Sequence, residues 1–167
     1  MNYLQYLLKA KGRHGTHSPF VYDFVEQALH TQRRYTYPAA VPAAALPQTL
    51  YRVLSFLPYT QLYIDPTIAS LSWVSTALPG VLHSIPEQLP EDALLIVDAK
   101  QAATIIADRK ELPQSLKILV WHPQHKEEQL LNQLLENQSF NCTMFTWSFS
   151  LLIAHPDFKR KQHYVLR

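Results

Sequence analysis

Ala93-Leu94-Leu95-Ile96-Val97-Asp98-Ala99-Lys100 is the stretch on which the reading of this chain turns. An unbroken apolar run closed by an aspartate predicts a strand buried on both faces, in the middle of a parallel sheet covered by helices. Asp98 then stands at the carboxyl end of that strand. Ligands bind at that end of open α/β sheets, and an aspartate just before a helix is also a common N-cap, so spacing alone leaves Asp98 as either a site residue or a cap.

Outward from this strand the pattern alternates. Apolar runs predict further strands over 61–65, 81–85 and 117–121, with helices over 68–78, 101–112 and 126–137 between and after them. Such alternation implies parallel pairing through right-handed crossovers. Two apolar, β-rich runs over 140–147 and 149–155 follow almost without a break and predict an antiparallel hairpin closing one sheet edge, with the tail 159–167 beside it. The expected class is α/β: a mostly parallel sheet with a C-terminal antiparallel hairpin, helices on both faces and an N-terminal helical extension.

That extension begins with Tyr3, Leu4, Leu7 and Leu8 at helical spacing, with Gly12 as a C-cap. Ser18 followed by Pro19 is an N-cap and first-turn signal for a second helix, which buries Phe20 and Phe24. Residues 31–48 hold Pro38, Pro42 and Pro47 among small alanines and read as an extended linker. From Thr49 to Leu57 the spacing of Leu50, Val53, Leu54 and Leu57 predicts a helix stopped by Pro58. The expected division is therefore 1–48, an extension with a Pro/Ala-rich linker, and 49–167, an α/β domain.

With 47% apolar residues in 167, the chain can build a sizeable core. The net charge of +2 conceals an asymmetry: residues 1–52 carry six Lys/Arg against two acids, 53–156 five against ten, and 157–167 four against one. Both ends are basic and the middle acidic, a pattern that could steer an anionic partner to the termini, although nucleic-acid binding stays a minor option. Cys142 is the single cysteine, so no intrachain disulfide forms; a core position and a reducing compartment are expected. Without a secretory signal or a long apolar span, the expectation is a cytoplasmic protein with no membrane partner. His14/His17 and His122/His125 each have two intervening residues, but no third ligand stands at a recognisable spacing, so no metal site is expected.

Local sequence carries a resemblance. The stretch from Lys11 to Phe24, with Gly12, His14, Gly15 and then His17-Ser18-Pro19-Phe20, is similar to the opening signature of a group of class I S-adenosylmethionine-dependent methyltransferase-like proteins from Bacteroidetes. The ending from Phe158 to Arg167 resembles theirs too, and helices first, then alternating strands and helices, then a terminal hairpin is that family's layout. The resemblance covers most of the chain. It implies a Rossmann-like methyltransferase-type sheet and S-adenosylmethionine as cofactor, with Asp65, Glu87 and Asp98 as the candidate cofactor residues and Asp98 and His122 as the candidate catalytic ones.

The middle of the chain departs from the family pattern. After the first strand the family has an acidic residue and a glycine-rich turn, which lets backbone approach the cofactor. Here Tyr63 stands where the acid would be, Asp65 where the first glycine would be, and Pro66 removes an N–H from the loop. The acid expected at the end of the second strand is displaced to Glu87, and a helix and a strand after it are missing, so the sheet should be one strand short on that side. The reading is a shortened domain with a degraded cofactor site that acts by interaction or regulation, with a protein partner or a homo-oligomer. The alternatives are an active methyltransferase of unknown substrate and a small-ligand or nucleic-acid binder using the basic termini.

Overall fold

The structure, a computed structural model, describes residues 3–11, 18–30, 35–123 and 127–167. Gly12, His14, Gly15, His17 and His125 lie outside them. The chain forms an α/β layer structure around six strands: β1 (Gln61–Ile64), β2 (Ala93–Val97), β3 (Lys117–Trp121), β4 (Cys142–Phe145), β5 (Phe149–Ile153) and β6 (Gln162–Val165). Their order is β1-β2-β3-β5-β4-β6. β1, β2 and β3 are mutually parallel, β5 runs antiparallel to both β3 and β4, and β6 returns parallel to β4.

β2 is central and buried along its whole length, as its sequence requires. Alternation then sorts its side chains: Leu94 and Ile96 join one core, Leu95 and Val97 the other. Truncating either Leu95 or Ile96 to alanine should cost about 2–5 kcal/mol, since neither face can collapse around the gap.

The helices cover both faces. On the first lie α2 (Pro19–Phe24), a π-helical turn that continues it (Val25–Leu29), α3 (Ala45–Phe56) and α4 (Val74–Ala77). On the second lie α1 (Tyr3–Lys9), α5 (Ala99–Ala107) and α6 (Glu128–Glu136). Val21, Phe24 and Val25 are fully buried in the same core as Leu94 and Ile96, so the N-terminal helices and the sheet share one apolar interior. Arg52 of α3 ties them further, donating from Nε to the Ala28 carbonyl (2.9 Å) and from Nη2 to the Leu29 carbonyl (3.3 Å), groups left open at the end of the π turn. α3 starts at Ala45, within the stretch read as linker, because Pro47 falls in its first turn, where a missing N–H costs nothing.

Three local expectations are corrected. Residues 81–85 do not form a strand: Leu82 alone bridges Tyr63, donating its N–H to Leu62 O and accepting at its C=O from Ile64 N, both at 2.9 Å. The pairing beyond β1 is confined to that one residue. The helix expected over 68–78 is broken into a 3-10 turn (Ala69–Leu71) and the four-residue α4, in a stretch whose Ser70, Ser72, Ser75 and Thr76 are weak helix formers. Ser18 occupies the N-cap position of α2 and is buried there, but its side chain makes no capping bond.

The Leu82 bridge reveals the winding. From β1 the chain crosses the first face through α4 to the outer side of β1, then returns past β1 to β2 and crosses the second face through α5. Reversing direction and face together keeps the crossover hand the same. The topological switch point therefore lies between β1 and β2.

Candidate functional site

In a sheet wound this way the crevice for a ligand opens at the carboxyl ends of the two strands flanking the switch point, which are Asp65 after β1 and Asp98 after β2. His122 follows β3 at the same end. The fold thus brings three of the four sequence-derived candidates to one end of three neighbouring strands. It does not bring the fourth. Glu87 precedes β2 and sits with Asp108 and Arg109 at the opposite, amino end of the sheet, where Arg109 donates from Nη2 to Pro86 O (2.8 Å) and from Nε to Glu87 O (3.2 Å).

At the switch point each carboxylate serves its own loop. Asp65 Oδ1 accepts from Thr67 N (2.8 Å) and from Thr67 Oγ1 (2.7 Å), a side-chain turn that folds the loop back on itself. The Asp65 N–H donates to Ile96 O at 2.9 Å, carrying the β1–β2 ladder one residue past β1. Asp98 Oδ1 accepts from Gln101 N at 2.8 Å and caps α5 from an extended backbone. Beside it Lys100 pairs with Glu127 at 2.8 Å, a surface contact. Tyr63 is buried in the second core and Trp73 packs against the first.

His122 is buried. Its Nε2 lies 2.8 Å from Ser150 Oγ, and its ring stacks on Phe145 with centroids 5.4 Å apart and planes 14° from parallel. Its backbone N–H donates to Ser148 O, so the residue locks the β4–β5 turn against β3. Cys142 is buried with no partner thiol, and burial pushes its thiol up to about 12. Among the described residues no group of three or more His, Cys, Asp or Glu is arranged to hold a metal, and no helix is long and apolar enough to cross a membrane.

Among the described residues, three surface clefts open away from the switch point. One of 400 Å³ surrounds Glu87 and Arg109, and one of 320 Å³ lies between Leu112 and Pro156; both are shallow and polar. The third, of 210 Å³, is more enclosed and lies between α1, α6, β4 and β6. Its floor is Leu131, Leu135, Phe145 and Val165; its rim is Lys9, Glu128, Asn132 and His163. His163 Nδ1 stands 2.9 Å from Thr143 Oγ1, and desolvation, helped by the Lys161 charge and opposed by Glu136, holds its imidazole below the ordinary histidine range. Nothing in the local sequence marks this cleft, because its walls come from both ends of the chain.

Comparison with protein-family models, with curated proteins and with solved structures yields no match.

Proposed function

We propose that this chain is a shortened methyltransferase-like α/β domain whose switch-point crevice does not take S-adenosylmethionine, and that it acts by binding a partner rather than by methyl transfer. The methyltransferase-like character rests on the resemblance of its two ends, and the alternating strands and terminal hairpin are in keeping with it. The loss of the cofactor rests on one observation: the Asp65 loop is closed on itself. A nucleoside cofactor needs open backbone N–H groups and a free acid at the first loop. Here Pro66 supplies no N–H, the Asp65 carboxylate is occupied by Thr67, and the Asp65 N–H is taken up in the β1–β2 ladder by Ile96 O.

The flanking positions favour the same reading. Asp98, in register with the family acid, is engaged as a helix cap, and Glu87 lies at the far end of the sheet. The wall beyond β1 is a single bridge at Leu82 in place of a strand and helix. The residues present therefore do not fit S-adenosylmethionine. Calorimetric titration with S-adenosylmethionine and S-adenosylhomocysteine is the test: no saturable heat is expected at concentrations up to about 1 mM, and micromolar binding of either would overturn the reading.

A further inference from the structure

We propose that the edge of β6, with the cleft beside it, is a docking site for an extended acidic segment of a protein partner, which inserts one large apolar side chain between α1 and α6. The inference rests on the reading of this chain as an interaction module and names where and what it binds.

Charge carries it first. Residues at the two basic ends of the sequence meet on one edge of the fold. Lys11 bridges Leu166 through a 2.7 Å bond from its N–H to Val165 O, and Lys9 lines the cleft with His163 and Val165. Lys159, Arg160 and Lys161 lead into β6 and Arg167 follows it, and all six cations are exposed. Of the acids nearby, Glu128 and Glu136 lie on α6, and Asp157 is paired with His155 at 3.5 Å. Cations at both ends of an edge strand also repel a second copy of the same edge, so the surface selects an oppositely charged strand over itself.

Backbone geometry comes second. Among the described residues β6 is the last strand of the sheet, and its register with β4 turns the main-chain groups of Gln162 and Tyr164 inward. Those of His163 and Val165 consequently face outward, and among the described residues Lys11 takes the Val165 carbonyl. An extended chain can add there through main-chain bonds, with alternate side chains supplying specificity. The cleft supplies the third element: 210 Å³ with an apolar floor suits one aromatic or branched side chain, and is below the roughly 300 Å³ typical of small-molecule sites.

Fluorescence anisotropy with labelled synthetic peptides of about twelve residues, all Asp and Glu around one central Phe, tests this on the full chain. Binding below about 100 μM is expected at low salt, weakening at least about threefold when salt is raised to about 0.3 M. Replacing the peptide's Phe by Gly should weaken it about tenfold, as should Asn132→Trp, which fills the cleft from an exposed position, or Lys9→Glu. Circular dichroism confirms that both variants fold. No peptide binding, binding indifferent to the Phe and to both variants, or tighter binding of single-stranded oligothymidylate would overturn the proposal. The cofactor titration is read separately, so a domain that binds S-adenosylmethionine is distinguishable from one that binds no peptide.

Discussion

Lys117 opens an otherwise apolar strand with its side chain 2% exposed, and its Nζ has two neighbours: Asp92 Oδ1 and the Ser115 carbonyl, each at 3.1 Å. Replacing Asp92 by Asn keeps an oxygen in place and tolerates the left-handed backbone of that position, φ +56°, so the change isolates the charge. Removing one partner of a fully buried pair costs about 3–5 kcal/mol, because the remaining ion is stranded. Asp92 is itself 43% exposed and screened by water, which brings the expected loss to about 2 kcal/mol. In a domain of this size that is a fall of about 4–8 °C in Tm, read by thermal circular dichroism and by urea unfolding monitored through tryptophan fluorescence. Lys117→Met added to Asp92→Asn should recover most of the loss, since an unbranched apolar chain fills the same space without a charge. A change below 1 °C for Asp92→Asn, or no recovery in the double variant, would refute the view that a buried ion depends on this one carboxylate.

Phe24→Ala should cost about 3–5 kcal/mol and shift a single cooperative transition, because Phe24 lies in the core shared by the N-terminal helices and the sheet; two separate transitions, only one of them shifted, would show that the extension folds independently. Cys142, its thiol held at about 12 by burial, should resist alkylation at pH 8 in the native protein and react only in urea, as followed by mass spectrometry. His163 has its imidazole pKa lowered on folding, so the native state binds the proton less readily than the unfolded chain. Stability should fall as the pH drops through the unfolded value of 6.5 toward the lower folded value, and His163→Gln should flatten that part of a urea-midpoint profile.

Much of the fold was legible from local pattern. The continuous run Ala93–Val97 announces a strand covered on both faces, and it is the central one of the three parallel strands. The runs on either side of Ser148 announce a hairpin, which forms with Phe145 opposite Ser150. Such signals are readable because burial on one or two faces imposes its period on neighbouring residues. Residues 81–85 misled for the same reason: their apolar content suits a strand, but pairing is decided between segments, and only Leu82 meets β1, through the carbonyl of Leu62 and the N–H of Ile64.

What tertiary structure alone decided lies in contacts between distant parts of the chain. The sequence contains Asp65, Glu87 and Asp98 as comparable acids, yet only the winding of the sheet sets two at the switch point and the third at the far end. It contains two basic ends, yet only the return of β6 beside β4 brings Lys9 and Lys11 against Val165 and Leu166, where the Tyr6 hydroxyl donates to the Leu166 carbonyl and His30 Nε2 to that of Arg167. Periodicity records whether a residue faces the core or the solvent. It carries no information on which distant segment completes a sheet edge or a cleft, because that choice is made by the packing of whole elements.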